Sequence, residues 1–282
     1  MTKKRRLDEL LVEKKLVENT DKAKRLIMAG LVFSEEERLD KPGMKIAADT
    51  PLHIKQKETS YVSRGGLKLE KAIHQFQLDL TDKIVIDIGA STGGFTDCAL
   101  TYGAKYVYAI DVGYNQLDWK LRNDPRVHVM ERTNFRYVTE DMLKQGKPRF
   151  ATIDVSFISL RLILPVLKKL LTEENDIIAL VKPQFEAKKE QVETGGIITD
   201  EHVHLEVLEK VVDFAEKEGF KLNGITHSPI TGSRGNIEFL AHLTYLSHSD
   251  RKHKDFDLKN IVIEAYQQLT NGQETNGGKK NE

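Results

Sequence analysis

The segment Val85-Ile86-Asp87-Ile88-Gly89-Ala90-Ser91-Thr92-Gly93-Gly94-Phe95-Thr96 constrains the fold more than any other in these 282 residues. An apolar run enters a glycine-bearing turn and leaves it as a helix. A parallel sheet holds a nucleotide-like ligand in this way, at the carboxyl edge of its first strand. A dinucleotide fingerprint wants glycine at the first, third and sixth loop positions. Gly89 and Gly94 comply, but Ser91 takes the third place, where glycine lets the backbone approach a pyrophosphate, so that reading weakens. Apolar runs at 84–88, 106–110, 127–130, 150–154, 177–182, 222–226 and 237–243 alternate with helical patterns, the signature of an α/β fold with a largely parallel sheet. Asp111 closes the second run and is suited to accept hydrogen bonds from the ribose hydroxyls of an adenosine ligand.

The first sixty residues read as a separate small unit. Leu7, Leu10 and Leu11 form the stripe of a short amphipathic helix. Asn19 and Asp21 offer capping oxygens for a second helix that ends at Gly30, and short strands separated by Pro and Gly turns follow. Lys and Arg total 43, as do Asp and Glu, so the net charge is zero. That sum conceals a split, because residues 1–71 carry 17 basic and 12 acidic side chains and the remainder the opposite excess. Such asymmetry suggests an N-terminal segment that handles a polyanion, the alternative being a solvated surface of mixed charge. The single cysteine, Cys98, excludes an internal disulfide framework and a Cys-based zinc site, and its position past the glycines fits a small buried thiol. No apolar run approaches a membrane span of roughly 20 residues. The basic N-terminus lacks the apolar stretch of a secretory signal, so the cytoplasm is expected.

The N-terminal residues resemble the S4 RNA-binding domain, through Arg6-Leu7-Asp8 with Leu10-Leu11, the basic second helix with Ala23, Ile27, Gly30 and Val32, and the closing Lys41-Pro42-Gly43 with Asp49. Residues 60–245 resemble the FtsJ-like ribose 2′-O-methyltransferases. With the S4 module in front, the chain is similar to the hemolysin A (TlyA) type of rRNA methyltransferase. The pieces that carry this are Val62-Ser63-Arg64-Gly65-Gly66-Leu67-Lys68-Leu69, the glycine loop, Asp154-Val155-Ser156-Phe157-Ile158-Ser159-Leu160, Lys182-Pro183-Gln184-Phe185-Glu186 and Gly235-Asn236-Ile237-Glu238.

The resemblance implies a Rossmann-like methyltransferase domain with a seven-stranded sheet over 64–246. A small α+β S4 domain over 1–59 precedes it, a linker over 60–63 joins the two, and a polar, partly disordered tail fills 247–282. It implies S-adenosylmethionine as cofactor, held by Asp87, Gly89, Ala90, Ser91, Thr92, Gly93, Gly94, Phe95 and Asp111, with Asp87 bonding loop amides. It places a Lys-Asp-Lys-Glu tetrad on Lys68, Asp154, Lys182 and Glu238. The implied partner is ribosomal RNA or a ribosomal subunit, with cytidine ribose as acceptor. Arg5, Arg6, Lys22, Lys24, Arg25, Arg64 and Arg234 are the candidate RNA contacts.

Asp154 and Lys182 are also legible without the resemblance, since each ends an apolar run at the edge where parallel sheets place active groups. Lys68 and Glu238 are not: by spacing alone they are a helix-surface charge and an inward polar residue of the last strand. A ribose hydroxyl is a poor nucleophile, so a site must align it with the methyl donor and give its proton somewhere to go. Lys182 serves either as a neutral base or as a charged orienting group. No metal is expected, since His202 and His204 stand two apart on a helix that Asp200 caps and face different sides. The loop from 186 to 196, with Lys188 and Lys189, is either a cover over RNA or an ordinary surface loop. Two further readings are a catalytically inactive S4 ribosome-binding factor and a membrane-active hemolysin, which the absence of a suitable amphipathic segment disfavours.

Overall fold

The computed structural model describes residues 4–28, 30–35, 37–54, 61–245 and 255–269, apart from the side chain of Arg25. The chain divides into two compact units, Met1–Thr59 and Ser60–Glu282.

In the first unit β1 (Lys4–Arg6) leads into α1 (Leu7–Glu13) and α2 (Thr20–Met28). The Asn19 side chain caps α2 by accepting from the Lys22 amide. Then come β2 (Val32–Ser34), β3 (Glu37–Arg38), β4 (Lys45–Ala47) and β5 (His53–Ile54). They form a β1-β4 pair and a β3-β2-β5 sheet. Leu7 and Leu11 on α1, Ala23 and Ile27 on α2, and Val32 are buried together, so the i, i+4 spacing of each helix supplies one wall of a small core.

The second unit runs α3 (Gly66–Phe76), β6 (Ile84–Ile88), α4 (Gly94–Thr101), β7 (Tyr106–Ile110), α5 (Trp119–Arg122), β8 (Val127–Met130), β9 (Phe150–Ile153), α6 (Leu164–Leu167), β10 (Asp176–Val181), α7 (Pro183–Glu186), α8 (Glu201–Lys217), β11 (Phe220–His227), β12 (Phe239–Tyr245) and α9 (Leu258–Leu269). All seven expected strands are present, in the order β11-β12-β10-β9-β6-β7-β8. β8, β7, β6, β9 and β10 are mutually parallel, and β12 and β11 complete the sheet antiparallel. Residue alternation splits the core into two layers. Val85, Val107, Ala109, Ile178 and Leu240 face a layer with α3 and α4. Ile86, Ile88, Tyr108, Ile110, Ala179 and Phe239 face a layer with α8 and α9. From β6 the chain builds outward through β7 and β8 on one side, then returns to lay β9 and β10 on the other. A crevice therefore opens at the carboxyl ends of β6 and β9, the switch point of the topology.

Two expected boundaries differ. The proposed linker 60–63 is folded where it is described. Tyr61 is buried and donates to Glu70, and the Val62 amide donates to Asp97 of α4. Residue 60 lies outside the described residues. The proposed tail contains α9, which packs on α8 and β11. Its overall polarity conceals an apolar stripe, in which Val262 and Ala265 are buried and Leu258, Ile261, Tyr266 and Leu269 lie against the core. Residues 247–254 and 270–282 lie outside the described residues.

Val262→Asp should put an unpaired carboxylate into this seam and lower unfolding stability by more than about 2 kcal/mol, whereas Gln267→Asp on the exposed face should be nearly neutral. Urea unfolding midpoints measure the difference, and equal midpoints would show that α9 does not belong to the core.

Candidate active site

The crevice begins where β6 meets its glycine turn. Gly89 has φ +86, and a Cβ there would overlap the carbonyl oxygen of Asp154, so the turn runs against the end of β9. Gly93, φ +96, starts α4 and presses on Leu121. Asp111 fastens the loop from β7: its two carboxylate oxygens accept from the amides of Ser91 (2.8 Å) and Gly113 (2.6 Å).

A cavity of about 390 Å³ is walled by Ile110, Val112, Phe135 and Ile163 with Asp111 and Ser91 among its polar groups. A second, of about 190 Å³, is lined by Ser63, Gly65, the loop from Gly89 to Thr92, Gly94, Phe95, Asp154, Ser156 and Lys182. The two share Gly89, Ser91, Asp154 and Ser156 and so form one depression.

One ion pair lines this depression, and a second is formed by residues that line neither cavity. Lys182, one residue past β10, brings Nζ to 2.5 Å of Asp154 Oδ1 and donates to Ser156 Oγ at 3.1 Å. Lys68 on α3 places Nζ 2.6 Å from Glu238 Oε2, both side chains being nearly inaccessible. Glu238 precedes β12 instead of lying within it. The antiparallel ladder of β10 and β12 ends with Val181 paired to Phe239, so Lys182 leaves β10, and Glu238 enters β12, at the same end of that ladder. Charges buried in this way need their partners, because removing one leaves the other uncompensated. Gly232 lies directly against the Glu238 carboxylate, and a Cβ there would overlap Oε1.

The cofactor residues expected from the sequence are thus brought together, with two exceptions. Gly93 lines neither cavity, because it faces Leu117 and Leu121. Asp87 has no exposure and meets the Thr96 backbone where α4 begins. It accepts from the hydroxyls of Thr96 (2.6 Å) and Thr152 (2.7 Å), and burial pushes its carboxyl up to about 6 against these bonds. Its strand position turns it toward α4 and β9, away from the crevice. Sequence reasoning missed Ser156, Val112, Gln116 and Thr133 to Phe135, which also line the depression. They follow the ends of β7, β8 and β9, so the strand-end rule was the signal available. Cys98 is fully buried, and its thiol is pushed up to about 12 by burial, in keeping with a packing role.

The expected RNA contacts fall into classes. In the first unit Arg5, Lys22 and Lys24 are part-exposed and paired with Glu13, Glu18 and Asp21 respectively. Arg6 instead forks onto the buried carboxylate of Asp8, and that bond holds Asp8 below the usual carboxylate range. Arg6 thereby gains an internal role that its sequence position did not reveal. The Arg25 side chain lies outside the described residues. In the second unit Arg64 is exposed at the start of α3. Arg234, at φ +58, donates to the Gly195 carbonyl. Asn236 holds the same loop, accepting from the Ile198 amide and donating to the Gly196 carbonyl.

The FtsJ-like methyltransferase family matches residues 61–245, and the S4 domain matches residues 5–50. The 16S/23S rRNA (cytidine-2'-O)-methyltransferase TlyA of Mycobacterium tuberculosis is 40% identical over 240 residues, covering 85% of this chain and 89% of that protein. Hemolysin A of Brachyspira hyodysenteriae is 44% identical over 237 residues, 84% of this chain and 98% of the relative. A solved structure of a hemolysin-named protein from Streptococcus thermophilus superposes with TM-score 0.78 at 50% identity, over 97% of this chain and 100% of that one. With both units of the chain covered by these matches, the chain belongs to the hemolysin A (TlyA) family of FtsJ-like methyltransferases that carry an S4 domain.

Proposed function

We propose that this protein transfers a methyl group from S-adenosylmethionine to the 2′-hydroxyl of a cytidine ribose in ribosomal RNA, acting in the cytoplasm on the RNA or an assembled subunit. The observation that carries the reading is the Asp154–Lys182 pair in the crevice, with Lys68–Glu238 at the same end of the β10–β12 ladder. The tetrad assignment accounts for both pairs.

The residues present fit the cofactor. Each Asp111 oxygen accepts one amide and keeps capacity for a ribose hydroxyl. The apolar walls at Val112, Phe135 and Ile163 suit a base, and the loop from Gly89 to Phe95 would hold the amino-acid end. When bound, the cofactor supplies an electrophilic sulfonium methyl. Lys182, held by Asp154 and Ser156, orients the incoming hydroxyl, and Glu238 with Lys68 fixes the floor beneath it. The ion pair to Asp154 favours the orienting role for Lys182 over the general-base role. The hydroxyl proton then passes to solvent water late in the transfer, as the new O–C bond forms and the S–C bond breaks, while Lys182 keeps its own proton.

In the first unit, exposed surface ion pairs are worth little, roughly 0–1 kcal/mol, so phosphates can displace Glu13, Glu18 and Asp21 from Arg5, Lys22 and Lys24. The relatives named rRNA methyltransferases supply the substrate class, and the name TlyA carries the cytidine. Among the described residues no helix is long and apolar enough to cross a membrane, which lends the hemolysin reading no support.

Lys182→Ala should lower single-turnover methyl transfer to ribosomal subunits by at least ~10²-fold with cofactor affinity unchanged. Lys182→Arg should retain a measurable rate with a flat pH profile, and complete loss in Arg would restore the base role. Wild-type turnover in Lys182→Ala would remove the tetrad assignment, and a wild-type chain that binds cofactor without transfer would favour an inactive binding factor.

Gly232→Ala should displace the Glu238 carboxylate and slow transfer by up to ~10²-fold, as misplacements near 1 Å do. Ser233→Ala next to it should leave the rate unchanged, and equal rates in both variants would mean that Glu238 does not need its present position.

Replacing Arg5, Lys22 and Lys24 together by Ala should weaken RNA binding and reduce the salt slope of log affinity by about 1 for each phosphate no longer neutralised. Filter binding at several salt concentrations measures this, and an unchanged slope excludes these side chains as phosphate partners.

A further inference from the structure

Asp154 and Lys182 stand on separate loops, each leaving the end of a different strand, and their 2.5 Å contact depends on how those loops are held together. Beyond the pair itself and the Lys182–Ser156 bond beside it, the far end of the seam between the loops carries a separate polar fastening. Glu186, at the end of α7 and four residues past Lys182, turns its carboxylate to the loop that begins at Asp154. Oε2 accepts from the Ser159 hydroxyl at 2.6 Å and Oε1 from the Leu160 amide at 2.7 Å. Leu160 is itself buried, so this end of the Asp154 loop is anchored in the core. The rings of Phe157 and Phe185 meet across the same seam, with centroids 5.1 Å apart. Burial pushes the Glu186 carboxyl above its usual range while the two bonds oppose the shift. A carboxylate kept at such a cost, with no place in either cavity wall, calls for a role in the geometry around it.

We propose that Glu186 is a positioning residue that clamps the Asp154 loop to the Lys182 loop and so sets the separation of the reacting pair. The two fastened loops are Asp154 to Leu160 and Lys182 to Glu186, so the carboxylate closes a ring whose opposite side is the Asp154–Lys182 contact. Opening that ring leaves both strands intact but lets the loops diverge by the fraction of an ångström that an aligned transfer cannot tolerate. The clamp rests on the methyl-transfer reading of the site.

The test uses the full chain with Glu186→Ala, Glu186→Gln and Ser159→Ala, measuring single-turnover transfer to ribosomal subunits and, separately, S-adenosylmethionine affinity by calorimetry. Glu186→Ala should slow the chemical step by ~10- to 10²-fold with the S-adenosylmethionine affinity unchanged. Glu186→Gln should recover most of the rate, because its carbonyl still accepts from the Leu160 amide and its NH2 group can donate to Ser159 Oγ. Ser159→Ala, which removes one bond and keeps the other, should fall between. A wild-type rate in Glu186→Ala overturns the clamp, as does a loss that Gln does not restore or one that appears as weakened binding. If Glu186→Ala does not fold, a folded Ser159→Ala at the wild-type rate overturns it equally. An unsubstituted chain without transfer activity would instead remove the methyl-transfer reading, and the clamp with it, whereas an active one beside an unaffected Glu186→Ala removes the clamp alone.

Discussion

A carboxylate with no exposure to water joins the parts of the second unit that form its crevice. Asp87, near the end of β6, accepts from Thr152 on β9 and from Thr96 on α4. These three elements carry the glycine loop, the approach to Asp154 and the helix that follows the loop. Ionised Asp87 is costly in such surroundings, and two hydroxyl donors offset part of that cost. The arrangement makes the crevice a rigid feature of the sheet, since β6, β9 and α4 cannot separate without leaving a buried charge unpaired. Asp111 repeats the device one strand over, at the surface, by tying the loop to the end of β7.

The two buried ion pairs depend on that frame and add a second requirement. Their four charged groups come from α3, from the ends of β9 and β10, and from the residue before β12, and they arrive as two compensated pairs. Compensation keeps two lysines and two acids in a poorly hydrated place without a large net field. Neighbouring backbone then limits where each group can go. Gly232 bounds the Glu238 carboxylate, and Glu186 bounds the loop of Asp154. The first unit solves a different problem, with a small core under exposed cations whose partners are weakly held.

Much of the fold is legible in the sequence because its signals are local. Apolar runs of strand length, the glycine turn after β6 and the capping Asn19 each depend on a few consecutive residues, and all are found where the pattern places them. Asp154 and Lys182 are legible for the same reason, as charges at the ends of apolar strands. The departures have an equally local origin. Helix α9 averages into a polar tail because its stripe is narrow, and Tyr61 to Ser63 read as linker because they are short and polar in company.

By itself the sequence determined the order of strands and helices, the position of the glycine loop, the separation of a basic N-terminal unit from the rest and, through its motifs, the family. Only the tertiary structure decided which charge meets which. Lys68 and Glu238 are 170 positions apart, and Lys182 and Glu186 are each 26 positions from Ser156 and Leu160, their respective partners on the Asp154 loop, so nothing local links them. The antiparallel addition of β12 to β10 brings Phe239 opposite Val181, and so Glu238 to the end of the sheet where Lys182 leaves it, and the crossover from β6 to β9 brings Asp154 to the glycine turn. The physical reason is that a side chain's neighbours across a sheet are set by strand register, which is fixed by burial of the alternate residues on both faces and not by any one segment.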